Sequence, residues 1–311
     1  MLVPLGILSS SGGADIYFAY FAGGNSDIGQ GASVDRFGFI SESSYVLTTG
    51  LSQTRQFLSG FANSGTAGYL AGGINSGTRY TIVDKFAMAN DVRTTLGTGL
   101  SSAASGGQSM ANSGTAGYTA LGNTGSFTTS GNKFAFPSDT RTTMSPGIST
   151  GRQLGAGMAD KAVAGYFGGG TTGTVVSTVD KFAFPADTRT TLATGLSVAR
   201  EAPGAFSNSG TAGYFFGGTN SGGTNQTVVD KFAFPADTRT TLATGLTTAT
   251  TWIAGAANKG VAGYAGGGSP GGTPSKNVDK FSFPSDTRTS LGNILARPHS
   301  AHGSAANEAT L

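Results

Sequence analysis

The string VDKFAFPADTRTTLATGL occupies positions 179–196 and returns unchanged at 229–246. Diverged copies begin at Val34 (VDRFGF), Val83 (VDKFAM), Gly131 (GNKFAF) and Val278 (VDKFSF), which makes six. A second marker runs in phase with the first. It is a tyrosine ahead of a glycine pair, at Tyr20, Tyr69, Tyr118, Tyr166, Tyr214 and Tyr264, in steps of 49, 49, 48, 48 and 50 residues. A third, NSGTAGY, starts at Asn63, Asn112 and Asn208 and loosens to NKGVAGY at Asn258. A fixed period of this kind means one supersecondary unit repeated along the chain.

The fifth unit shows what that element is. Residues 205–207 lead into Asn208-Ser209-Gly210, residue types that tolerate a tight turn. Residues 212–216 are apolar and aromatic and end at Gly217-Gly218. A polar Gly/Asn/Ser/Thr loop follows. Val228, Val229, Phe232 and Phe234 then alternate with polar neighbours, Pro235-Ala236-Asp237 turns the chain, and residues 238–242 are Thr-rich. The spacing predicts four short strands with a turn every 8–12 residues and no helical period. Such a unit cannot cover both faces of its sheet alone, so neighbours must stack. The expected fold is all-β: a six-bladed β-propeller with four antiparallel strands per blade.

Composition agrees. Glycine supplies 52 of 311 residues, far above the usual ~7%, and charged residues are only 11% against a usual ~25%. That excludes a coiled coil, and zero cysteine excludes a disulfide scaffold. A net charge of +3 without any Lys/Arg run gives no footprint for nucleic acid. No apolar run approaches the ~20 residues that span a bilayer, so membrane insertion is not expected.

The unit resembles the kelch repeat. The resemblance rests on a double glycine closing an apolar strand, at Gly23-Gly24, Gly72-Gly73, Gly169-Gly170, Gly217-Gly218 and Gly267-Gly268, followed by the VDKF strand. The third unit departs with Leu121-Gly122, and the tryptophan that kelch units carry further on is replaced, with the Arg of DTRT nearest to its place. The resemblance implies a kelch-like propeller over residues 14–311, with 1–13 as an N-terminal segment and linker. Beyond the sixth VDKF string the tail aligns with 200–208, the first strand of a blade. Its second strand is missing there and is supplied by IYFAYFAGG at 16–24. One blade is therefore expected to pair both ends of the chain and close the ring.

Four repeat positions hold 22 of the 35 charges. A charge present in every blade reads as a building device, with Asp187 capping a turn and Arg189 on a shared strand face. No catalytic constellation stands out, so no enzyme, cofactor or metal is expected. His299 and His302 fall at odd spacing, which on a strand aims them at opposite faces. Trp252 is the one tryptophan. It reads either as a filler between blades or as a platform for a sugar ring.

The texture resembles a further group: kelch-like propellers that bacteriophages, cyanophages above all, encode as tail or tail-fibre virion proteins. The residues that carry it are the short start MLVPLGIL, a Ser/Gly linker and the near-identical VDKF…DTRTTL units. It implies a structural virion protein, present in many copies, whose Leu2, Val3, Leu5, Ile7 and Leu8 dock onto another tail component or lie as an edge strand on their own ring. Host-surface glycans are the partners expected at the other end. The alternative is a non-catalytic cellular kelch-like module, extracellular or cytoplasmic, that binds protein or glycan.

Overall fold

The computed structural model describes residues 15–26 and 29–307. Six four-stranded antiparallel sheets form six blades. Blade 2 runs Ser59–Asn63, Ala67–Ala71, Val83–Ala87 and Arg93–Thr95 from the axis outward. Blade 3 runs Gln108–Asn112, Ala116–Ala120, Gly131–Ala135 and Thr140–Thr143. Blade 4 runs Ala156–Asp160, Ala164–Gly168, Val179–Ala183 and Thr188–Thr191. Blade 5 runs Gly204–Asn208, Ala212–Phe216, Val229–Ala233 and Thr238–Thr241. Blade 6 runs Thr251–Asn258, Ala262–Ser269, Asn277–Ser282 and Thr287–Asn293. Blade 1 takes Gly303–Asn307 as its inner strand and continues through Phe18–Ala22, Val34–Gly38 and Ser43–Val46. The ends of the chain thus pair as the sequence implies, Phe18 opposite Asn307 and Ala22 opposite Gly303.

The second strand of every blade is buried on both faces, which is why it reads as an unbroken apolar run. Adjacent blades meet through size-matched pairs. An inner-strand side chain of one blade fills the space left by a glycine in the next: Phe61 over Gly117, Met110 over Gly165, Met158 over Gly213, Phe206 over Gly263. A Cβ at Gly165 would lie 2.0 Å from the Met110 sulfur. Where blade 6 meets blade 1 both halves change together. The side chain shrinks to Ala256 and the glycine becomes Ala19, both in one buried cluster.

The repeated charges stitch blade to blade. Lys85 reaches Asp139, Lys133 Asp187, Lys181 Asp237 and Lys231 Asp286, at 2.6 to 2.7 Å, each partner lying in the next blade. Arg36–Asp91 and Lys280–Glu42 complete the circle. The hydroxyls of Tyr69, Tyr118, Tyr166 and Tyr214 donate to the same four aspartates. These acids sit in left-handed turns, φ 55° to 58°, a conformation that aspartate tolerates. The Asp187 carboxylate is engaged by the blade before it. It reaches back to Tyr118 and Lys133, while Arg189 reaches back to the Gly147 carbonyl.

A second set of ions lies inside blades 2, 4 and 5. Arg55, Arg152 and Arg200 are fully buried and pair with the VDKF aspartates Asp84, Asp180 and Asp230. Blade 3 replaces both partners at once, with Ala104 and Asn132. Blade 1 sets His299 against Asp35, at 3.3 Å.

Candidate functional site

Between the outer strand of one blade and the inner strand of the next, the chain passes the axis in a two-residue step. The second residue of that step is Phe57, Gly106, Leu154, Ala202, Trp252 and Ala301 in turn. All six have φ between 51° and 64°. This left-handed kink turns each amide toward the neighbouring blade. The amide of Phe57 donates to the Ala301 carbonyl, Gly106 to Phe57, Leu154 to Gly106, Ala202 to Leu154, Trp252 to Ala202 and Ala301 to Trp252, at 2.6 to 3.1 Å. Six backbone hydrogen bonds therefore run head to tail around the axis.

This circle carries the mouth of the central channel. The preceding residue in each step is polar: Gln56, Ser105, Gln153, Glu201, Thr251 or Ser300. Each pairs, backbone to backbone, with the first residues of its own blade's loop after the glycine pair: Gln56 with Ile74, Ser105 with Asn123, Gln153 with Thr171, Glu201 with Thr219, Thr251 with Ser269, Ser300 with Asn25. The loops that differ most between units thus all rise from one face, around one axis. At its centre the Phe57 and Trp252 rings meet, with centroids 4.9 Å apart and planes inclined at 54°. Both are half-buried, as is Leu154.

Electrostatics single out one group here. Every described carboxylate except Glu201 has a hydrogen-bond or ion-pair partner. Burial without a cation pushes the Glu201 carboxyl up. Glu201 directly precedes Ala202, whose carbonyl accepts the Trp252 amide.

Below the mouth the channel holds about 210 Å³ and is walled mainly by Gly, Ala and Ser from all six inner strands. Gly60, Ser109, Gly157, Ala205, Gly255 and Ser304 occupy equivalent places, so glycine alternates with a larger residue. Ser304 Oγ donates to the Gly255 carbonyl at 2.7 Å, and a Cβ at Gly255 would come within 2.1 Å of the Ala205 carbonyl oxygen. No acid is among the lining residues.

Trp252 lies at the mouth, with Phe57 and Leu154 among its counterparts, and its ring meets that of Phe57 at a tilt. One sequence expectation changes. His299 and His302 do not diverge. The kink at Ala301 breaks strand alternation, and the two rings come to 5.4 Å. Among the described residues no cluster of three or more His, Asp or Glu could hold a metal. The proposed docking residues Leu2, Val3, Leu5, Ile7 and Leu8 lie outside the described residues. The buried Arg55, Arg152 and Arg200 were not singled out in the sequence, although they recur four residues before the inner strands.

His302 has a measurable consequence. Burial, and next the His299 imidazole, hold it well below the usual histidine value. The unfolded chain therefore binds a proton first, and stability falls as pH drops below about 6.5, at up to about 1.4 kcal/mol per pH unit. Leu58 and Ile253 occupy the same place in blades 2 and 6. His302→Leu is expected to remove this component, so that urea midpoints measured from pH 7 to 5 vary less than in the parent.

No protein-family model matches the chain, and a search of curated proteins finds no match.

Proposed function

We propose that this chain is a non-catalytic structural protein of a phage tail or tail fibre, and that its propeller holds a binding face toward the host surface. The observation that carries the reading is the convergence of six different loops around a half-exposed aromatic centre, on a frame whose repeated charges are engaged between blades. A rigid scaffold with varied loops on one side is suited to recognition. The direction of the chain supports it too. Phe18 pairs with Asn307, the end of the inner strand remote from the mouth, so the chain enters the ring at Asp15 on the face opposite the loops. Ile16 and Ile40 are 64% and 69% exposed beside that entry. In this reading the anchor formed by Leu2, Val3, Leu5, Ile7 and Leu8 precedes that entry in sequence. The kelch-like and phage-like repeat texture supplies the class of particle.

Trypsin cuts the repeat after Lys181 and Arg189, releasing FAFPADTR, which recurs at 232–239. Mass spectrometry of purified phage particles is expected to find this peptide in stoichiometric amounts with other tail proteins. Recovery from the cell fraction alone overturns the virion reading and leaves the cellular kelch-like module.

A further inference from the structure

The circle of hydrogen bonds at the mouth does not require aromatic side chains. Gly106, Ala202 and Ala301 close it as well as Phe57 and Trp252 do. Left-handed backbone costs a non-glycine residue roughly 1–2 kcal/mol. An aromatic ring that stays half in water regains only part of that through burial. Phe57 and Trp252 are both placed at such kinks, both half-buried, and both in contact over Ala301. Their rings meet at the mouth while staying half in water, which leaves apolar surface there for a ligand.

The chemistry around the pair narrows the ligand. The Trp252 indole N–H has no protein acceptor among the described residues, so a donor is open beside the rings. Glu201, one blade back, is the one carboxylate without a partner among the described residues. Gln153 extends over the adjacent kink, its Oε1 3.4 Å from where a Cβ of Gly106 would sit. An apolar ring face and one donor, with the polar side chains of Glu201 and Gln153 on other steps of the same mouth, suit a pyranose, which presents C–H groups on its face and hydroxyls around its rim. The rings touch each other, so a quaternary ammonium ion cannot enter between them as it would in an aromatic cage. The Glu201 carboxylate repels an acidic sugar.

We propose that Phe57, Trp252 and Glu201 form a binding site for a neutral saccharide at the mouth of the channel. This rests on the host-attachment reading for its biological setting and stands on its own as a binding site.

Trp252 is the only tryptophan, so emission at its wavelength reports on the site alone. The full chain is titrated with neutral oligosaccharides built on glucose, galactose, mannose or N-acetylglucosamine, with sialylated and uronic-acid sugars, and with choline. A saturable change in tryptophan emission is expected with at least one neutral saccharide. Phe57→Ala and Glu201→Gln are each expected to weaken it at least tenfold, with the thermal unfolding transition retained as a check on folding. Val92→Thr, remote from the mouth, is expected to leave it unchanged. No response to any neutral saccharide, or a preference for choline or an acidic sugar, overturns the site. Saccharide or host-cell binding that leaves tryptophan emission and both variants unaffected overturns it as well, and moves recognition to the loops without touching the attachment reading. A neutral-saccharide response from a protein absent from phage particles keeps the site and removes the tail.

Discussion

Replacing Arg152 with Ala is expected to lower the unfolding free energy by about 3–5 kcal/mol, because it leaves a fully buried aspartate without its cation. Asp180 is 0% exposed. Burial pushes its carboxyl up, but the Ser149 amide, the Thr191 hydroxyl, Arg152 and the Ser149 hydroxyl together outweigh that and hold it below the usual carboxylate range. The sign follows. A carboxyl depressed in the folded state adds stability at neutral pH and gives it up as pH falls below its unfolded value of about 3.9 and on through its folded one. The gap between parent and variant is therefore expected to be full at pH 7 and to narrow below about pH 4. Blade 3 supplies the control. Its Asn132 and Ala104 stand where blade 4 has Asp180 and Arg152, and Asn132 bonds the Ser101 amide and hydroxyl much as Asp180 bonds those of Ser149. The double variant Arg152→Ala/Asp180→Asn is expected to recover at least half of the loss. Urea denaturation of the parent, the single and the double variant decides it. A double variant no better than the single would mean that the arginine acts through packing, not charge.

The second large effect concerns closure. A chain ending at Pro298 lacks the inner strand of blade 1 and exposes the whole edge of Phe18–Ala22, whose residues are all buried in the intact ring. It also loses His299 beside Asp35 and the Ala301 link of the backbone circle. Loss of the cooperative thermal transition and association through the open edge are expected. A synthetic peptide covering 299–307 is expected to restore a sharp transition in a concentration-dependent way. A truncated chain that melts like the parent would show that the terminal strand does not hold the ring.

The fold was legible because the repeats are nearly copied: two identical 18-residue strings fix the period, and the shared pattern of apolar runs and turn residues fixes the strands. Closure followed from seeing which strand each end lacked. The charges were legible as scaffold, but their direction across blades was not, since Lys133 and Asp187 are 54 residues apart. The buried cation escaped notice because its column varies, Arg55, Ala104, Arg152, Arg200, Thr250 and His299, within a stretch that reads as polar loop. The mouth was harder still. Phe57, Gly106, Leu154, Ala202, Trp252 and Ala301 share a backbone conformation and no side-chain chemistry, so nothing in their letters announces that they are equivalent.

Each repeated contact between blades keeps its own direction round the ring. A lysine serves the next blade's acid, and an inner-strand side chain fills the next blade's gap. Each blade is thus a directional tile with one donating and one accepting edge, and the molecule is a hexamer whose subunits happen to be covalently strung together. Head-to-tail tiles of this type polymerise without limit unless their rotation closes. The pairing of Lys280 with Glu42 is where that growth bites its own tail and stops. The same logic makes single blades exchangeable cassettes, because a unit inserted in sequence meets the edges it needs and brings its own loop to the common face.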